Sequence, residues 1–387
     1  RYSLLAMSSD WILPVVAHLN QSAAAAYLLL EADSAVKVKN NPPIVQQRLC
    51  WDRFVHEKCG LRNFKRHLRM SIDSFNKLLS FILPGLIDED QRASGRGGPI
   101  LPELRLYSAL RYLAGGSYLD IHFFCGISET SFYSSVWRVF DLINSCTFLD
   151  IHFPQTDSEC RVAAEGFRSV SSGDAIVNCV SVVDGLLVRI TTPPKKDAKN
   201  VRSFFSGHYQ AYGVNIQGAC DHFCRFTFLG VAGPGVMADR EAVGQVPLST
   251  MMECLPGNFC VIGDCAYRPS EHLVPIFGGA SALDPLHDNW NFYASQCCIR
   301  IEMAFGLMKQ KWGILNTPLK IRLKNIKRLM LCIARLHNFT INERLQAGGP
   351  PLSTMGSIHD GRHGFTVFEE GMRLQHSLAE GRAIESD

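Results

Sequence analysis

Three acidic residues stand where the surrounding pattern changes. Asp184 closes the Val-rich run IVNCVSVVD, Asp264 follows VIG in the segment CVIGDCAY, and Glu302 lies beside the apolar positions of CCIRIEMAFGLM. A carboxylate set against apolar residues is unfavourable unless it is paired or bound to a metal. Three of them together supply hard oxygen ligands for two divalent cations, which suits Mg²⁺ or Mn²⁺ better than Zn²⁺, a user of His and Cys. Two such ions, roughly 3.5–4 Å apart, can activate an attacking water or hydroxyl and stabilise the leaving oxygen of a phosphodiester. Each acid by itself is weak evidence. An Asp-Gly after a strand is ordinarily a turn, and a Glu on a helix is ordinarily solvated. The combination of strand end, strand end and helix points to metal-assisted phosphoryl chemistry.

The elements that must position these acids are legible from periodicity. Residues 176–183 read as a buried strand ending at Asp184-Gly185. Residues 209–219 and 225–232 read as a hairpin turning at 220–224, and 258–263 as a fourth strand ending at Asp264. A long helix is expected from Asn291 to about Leu315, with Ala294, Cys298, Ile301, Phe305, Met308 and Trp312 inward. A basic amphipathic helix is expected over 323–344.

Upstream the texture is helical, and it changes to β after about Asp157. Phe75, Leu78, Leu79 and Ile82 recur at spacings of three and four, as do Phe132, Val136, Val139 and Ile143. Pro102 to Ala114 reads as a helix stopped by Gly115-Gly116. A short helix over 119–125, a turn at Gly126-Ile127 and an N-cap at Ser128 fit a helix-turn-helix. In that reading Glu129, Thr130, Tyr133, Ser134 and Arg138 face DNA. The division expected is a leader at 1–43, a helical domain at 44–156 including a basic linker at 92–99, a catalytic domain at 157–345 and a polar tail at 346–387.

Composition sets the bounds. The chain has 387 residues, 47% hydrophobic and 19% charged, the balance of a folded protein. A net charge of +3 does not announce a nucleic-acid binder, but residues 300–335 hold nine Lys or Arg against one acid, Glu302. That run suits a polyanion, or equally a solvated helix face. The fourteen cysteines form no CxxC pair, which argues against a zinc ribbon. Pairs such as Cys220 and Cys224, or Cys260 and Cys265, with His208 or His222, read better as buried reduced thiols than as metal ligands. No secretory signal is evident, so a reducing compartment is expected. The apolar stretch 11–30 is interrupted by Pro14, His18, Asn20 and Gln21 and makes a poor membrane span.

The segments VVDGLLVRI, GHYQAYGVNIQGACD, GVAGPGVMADREAV, VIGDCAYRPSEHLVPIF and NFYASQCCIRIEMAFGLMKQKWGIL occur in one order, followed by RLMLCIARLHNFTINER. In order and spacing they resemble the PIF/Harbinger-type DDE transposases, as does LRMSIDSFNKLLSFILPGL upstream. The resemblance covers roughly residues 66–344. It implies an α/β fold: an RNase H-like core, a mixed sheet flanked by helices, preceded by an all-α helix-turn-helix-like domain. It implies a DDE triad of Asp184, Asp264 and Glu302 holding two Mg²⁺ or Mn²⁺ ions. Asp239 matches a recurrent family Asp and is expected in a structural or metal-shell role, while Asn291 and Ser295 match polar positions before the Glu. Cys297-Cys298 departs from relatives that carry Arg near the position of Cys298, with Arg300 a possible substitute.

The implied activity is cutting at transposon ends and joining to a target site in double-stranded DNA, in the nucleus. A Myb-like DNA-binding partner protein and a homo-oligomer are further implications. Phosphate contacts are expected from Lys195, Lys196, Lys199 and Arg202, from Arg300, Lys309 and Lys311, and from Lys320 and Lys324. The competing reading is a host-adopted relative that binds DNA or protein without cutting. A further alternative is a carboxylate-based metal hydrolase of another phosphate ester.

Overall fold

The computed structural model describes residues 47–87 and 98–349. The leader, nearly all of the linker and most of the tail expected from the sequence lie outside the described residues. The first described helical stretch runs from Trp51–Arg53 through a π-helical segment, Phe54–Cys59, into α1 (Gly60–Leu68). Arg69, at φ 64°, adopts the left-handed conformation that ends α1. Ser71 then caps α2 (Ile72–Leu86), its hydroxyl accepting from the Ser74 amide at 3.1 Å. The expected stripe of Phe75, Leu78, Leu79 and Ile82 is buried.

Next come α3 (Pro102–Leu113), α4 (Tyr118–Cys125) and α5 (Glu129–Ser145). Gly126, at φ 64°, turns the chain between α4 and α5, and Ser128 caps α5 through the Ser131 amide at 3.1 Å. Phe132, Val136, Val139 and Ile143 are fully buried, as their spacing predicts. The change to β texture comes later than expected. Residues 157–168 form a further helix, α6 (Asp157–Arg168), opened by a reciprocal capping box between Thr156 and Glu159.

The sheet is built from β1 (Cys179–Arg189), β2 (Phe205–Ser206), β3 (Ala211–Cys220) and β4 (Phe226–Pro234), then β5 (Cys260–Gly263) and β6 (Leu273–Pro275). Strand β1 pairs antiparallel with β3, which pairs antiparallel with β4; on its other edge β1 pairs parallel with β5, and β5 with β6. The two-residue β2 pairs with the start of β3. The main path β4-β3-β1-β5-β6 is a mixed sheet with β1 in the middle, consistent with an RNase H-like core.

Two short helices, α7 (Asp239–Ala242) and α8 (Leu248–Glu253), fill the β4–β5 connection. The long helix α9 (Pro285–Lys311) starts six residues before the position predicted from periodicity, because Pro285 suits its first turn and Asp284 caps it at the Leu286 amide, 2.8 Å away. It stops at Lys311, and a 3₁₀ turn takes over at Gly313–Asn316. The last helix, α10 (Leu323–Gln346), follows.

Two apolar clusters sandwich the sheet. On one face Val182, Leu186, Val188, Ile216 and Ile262 pack with Ile301, Phe305 and Met308 of α9. On the other, Val183, Ala219 and Val261 pack with Cys160 and Ala164 of α6 and Leu248 and Met252 of α8. This division is the period-2 alternation of β1, β3 and β5 made visible. Helix α10 ties the sheet to the helices upstream. Asn338 brackets Phe226 of β4, accepting from its amide and donating to its carbonyl at 2.7 Å each, and Arg335 donates to the Cys146 carbonyl at 2.7 Å.

Candidate active site

Asp184 does not end its strand. It is the sixth of the eleven residues of β1, opposite Gly218 of β3, and pairing continues to Arg189. The Asp-Gly that imitates a turn signal is held extended because β3 offers an unbroken partner over 213–220. Asp264 does sit just past its strand. Because Val183 pairs in parallel register with Gly263, the two following residues, Asp184 and Asp264, emerge side by side from adjacent strands.

Alternation assigns Asp184 to the face covered by α9, since Val182 and Leu186 point there. Gly218 shows why that helix can come so close. A Cβ at Gly218 would stand 2.8 Å from Cζ of Phe305, so the ring lies directly on the glycine opposite Asp184. Glu302, three residues before Phe305, is carried to the same face and keeps its exposure at the rim. The buried stripe of α9 includes Cys297 rather than Cys298.

The electrostatics report this convergence. The Asp184 carboxyl is pushed up to about 8, first by burial, then by Asp264, against an opposing hydrogen bond from the Gly185 amide, with smaller contributions from Asp239 and Glu302. Asp264 is raised by burial and by Asp239, against a hydrogen bond from the Ala266 amide. Glu302 is raised by desolvation and then by Asp264. The Cys298 thiol is raised by burial, then by Cys297, Asp184, Glu302 and Asp264. The thiol therefore lies within electrostatic reach of all three acids. Tyr209, 60% exposed, feels Asp184, Asp239 and Asp264 after desolvation.

Asp239 occupies the opposite face. A Cβ at Gly185 would fall 1.9 Å from its Oδ1, so Asp239 lies against the backbone beside Asp184. Asn215 and Gln217 donate to that oxygen at 2.9 Å each. A cavity of about 310 Å³ adjoins it, lined by Gly185, Ser206, His208, Tyr209 and Asn215. Sequence reasoning overlooked Asn215, Gln217, Tyr209 and Tyr267. The signal was present in GVNIQGAC, where two amides alternate on one face of an otherwise apolar strand.

The acids offer oxygen donors only, the chemistry suited to Mg²⁺ or Mn²⁺. The charged groups that shift Asp184 are themselves acids, so a cation is the natural counterweight. As they stand, no three His, Cys, Asp or Glu side chains among the described residues are arranged to hold one metal ion. Asp184 and Asp264 each accept a local amide at Oδ1, from Gly185 at 2.7 Å and Ala266 at 3.0 Å, and a carboxylate held in this way keeps its second oxygen for a cation.

The expected phosphate contacts divide. Lys195, Lys196, Lys199 and Arg202 are exposed between β1 and β2, and Lys320 and Lys324 are exposed around the start of α10. Thr130 is exposed on the first turn of α5. Others turn inward. Arg300 is 7% exposed beside Cys224, because its place on α9 falls in the buried stripe. Arg138 donates Nε and Nη2 to the Gly85 carbonyl at 2.8 and 2.6 Å, joining α5 to α2. Tyr133 is half-buried with its ring 5.5 Å from that of Tyr118. Lys309 and Lys311 are half-buried with lowered pKa values, Lys311 to about 8 by burial and by Lys65, Arg344 and Arg69.

Residues 183–338 match the family model described as DDE superfamily endonuclease. The matched stretch begins one residue before Asp184, contains Asp264 and Glu302, and ends at Asn338. No curated protein and no solved structure matches the chain. The match supports a nuclease- or transposase-like role acting on DNA, at the level of the superfamily.

Proposed function

We propose that this chain is a divalent-metal-dependent DNA endonuclease and strand transferase of the PIF/Harbinger type, with Asp184, Asp264 and Glu302 as its metal ligands. The observation that carries the reading is the strand register that sets Asp184 beside Asp264, with Asp264 raising the carboxyls of both Asp184 and Glu302 after burial. When bound, Mg²⁺ or Mn²⁺ would supply the Lewis acidity that activates an attacking oxygen and stabilises a leaving one. The chain's own part is positional. Strand register sets Asp184 beside Asp264, the close packing of Phe305 on Gly218 sets the depth of Glu302, and the lysines of 195–199 with Arg202 offer charge to phosphates. On this reading the substrate is double-stranded DNA at transposon ends and target sites, the setting is the nucleus, and a Myb-like partner and self-association follow from the resemblance.

The test is strand cleavage of DNA bearing candidate end repeats, with Mg²⁺ or Mn²⁺. Activity that is abolished by EDTA and by Asp264→Ala supports the assignment, and undiminished activity in Asp264→Ala overturns it. One observation favours a second reading, a host-adopted derivative that binds DNA or protein without cutting: the acids do not stand in a ligating arrangement. Duplex binding without cleavage under any metal condition would select it.

A further inference from the structure

Behind the acid-bearing face, four polar side chains form a chain of hydrogen bonds that reaches both aspartates through the backbone. Tyr267 Oη donates to Gln217 Oε1 at 2.7 Å. Gln217 Nε2 donates to Asn215 Oδ1 at 2.8 Å and to Asp239 Oδ1 at 2.9 Å. Asn215 Nδ2 donates to Asp239 Oδ1 at 2.9 Å and to the Met237 carbonyl at 3.1 Å. Tyr267 and Gln217 are 3% and 0% exposed, so these bonds form away from bulk water and are expensive to break.

The two ends of the chain lie beside Asp184 and Asp264. At one end Asp239 Oδ1 lies against Gly185, the residue after Asp184. At the other, Tyr267 closes the turn that begins at Asp264, its amide donating to the Asp264 carbonyl at 3.3 Å. Between them Gln217 is the register partner of Gly185. The network therefore spans from the β1 backbone beside one acid to the post-β5 turn that carries the other.

We infer that the Asp239–Asn215–Gln217–Tyr267 network is a positioning device that sets the separation of Asp184 and Asp264 from the back of the sheet, and through it the affinity for a divalent cation. None of the four is a metal ligand in this scheme, and Asp239 in particular acts as a hydrogen-bond acceptor rather than as a fourth carboxylate on the ion. The inference rests on the proposed metal-binding role of Asp184 and Asp264. Removing partners that orient metal ligands typically weakens binding by about 10–100-fold.

The experiment measures Mn²⁺ affinity of the full chain by electron paramagnetic resonance of the free ion, with thermal unfolding in EDTA as a check on the fold. Tyr267→Phe deletes only the terminal hydroxyl, and Gln217→Met keeps the volume but removes all three of its links. Both are expected to unfold cooperatively and to bind Mn²⁺ at least about tenfold more weakly than wild type. Asp239→Asn keeps an acceptor oxygen and is expected to bind within about threefold of wild type, whereas Asp239→Ala is expected to resemble Tyr267→Phe. Wild-type affinity in both Tyr267→Phe and Gln217→Met overturns the inference alone. Asp239→Asn as weak as Asp239→Ala overturns it in favour of Asp239 as a ligand. Loss of cooperative unfolding in both Tyr267→Phe and Gln217→Met reassigns the network to the fold and overturns it too. A wild-type chain that binds no Mn²⁺ removes the underlying functional reading, and this inference with it.

Discussion

Asp184→Asn should stabilise the metal-free protein, although it removes a residue assigned to the reaction. The Asp184 carboxyl is raised from an ordinary value of 3.8 to about 8. In the unfolded chain it ionises near 4; in the folded chain it holds its proton until about pH 8. The folded state therefore binds more protons between those values, and stability falls as pH rises through that window. At pH 7 the unfolded form has gained about 3 pH units of ionisation that the folded form has not. At ~1.4 kcal/mol per unit the ceiling is about 4 kcal/mol. Relaxation of the partly open site reduces this to roughly 2 kcal/mol. Asparagine retains the Oδ1 that accepts the Gly185 amide at 2.7 Å and carries no charge. The assay is denaturant unfolding in EDTA at pH 4.5 and pH 7.5, wild type against variant. The variant's advantage should be near zero at the lower pH and about 2 kcal/mol at the higher, and added Mn²⁺ should stabilise wild type selectively. A variant less stable than wild type at pH 7.5, or a difference independent of pH, would refute the reasoning.

Further substitutions probe the supports of the site. Gly218→Val would drive a side chain into Phe305, so a loss of about 1–3 kcal/mol is expected in denaturant titration, with weaker Mn²⁺ binding as α9 shifts. Arg335→Ala removes the guanidinium that donates to the Cys146 carbonyl and to Asp150 Oδ1, at 2.7 and 2.6 Å, and should destabilise by about 1.5–3 kcal/mol, with no change in Mn²⁺ affinity. The exposed pair Lys195→Glu/Lys199→Glu should leave the unfolding midpoint unchanged. Filter binding across a salt series should show weaker DNA binding and a smaller salt slope, by about one per cation that meets a phosphate; an unchanged slope would remove these lysines from the interface.

Helix stripes are the most legible part of this sequence because a buried face must repeat every three or four residues whatever its surroundings. Phe75–Ile82 and Phe132–Ile143 show this directly, and the Ser128 cap follows from local hydrogen bonding. The limits of β1 are less legible. A Val run reveals a buried strand, but the five residues after Asp184 are held by pairing with β3, a non-local fact. Helix α6 was within reach, since Thr156 and Glu159 carry the capping-box spacing. Strand β6 has three residues and exists because Val261 and Ile262 of β5 offer an edge. The basic residues show the main gap. A list of cations does not say which face of α9 turns inward, so Arg300, inside the buried stripe, reads in sequence like Lys320, which is exposed.

The placing of the acids follows from the same forces that mark the site. Like charges held about 4 Å apart repel by several kcal/mol in a partly buried setting, and that repulsion from Asp264, after burial, is what holds the proton on Asp184 up to about pH 8. Each aspartate meanwhile has a near neighbour to bond: Asp184 turns to the Gly185 amide and Asp264 to the Ala266 amide. Both bonds are local and reversible by side-chain rotation, whereas the register beneath them is fixed by β1, β3 and β5. The backbone thus brings the acids to neighbouring places, and side-chain rotation is left to complete the shell. Cation binding should accordingly be accompanied by release of protons, from Asp184 above all, since the metal binds the ionised form. That release should grow as pH falls from 8 toward 6. If Mn²⁺ titration at pH 7 in buffers of different ionisation enthalpy showed no proton release, Asp184 would not be a ligand.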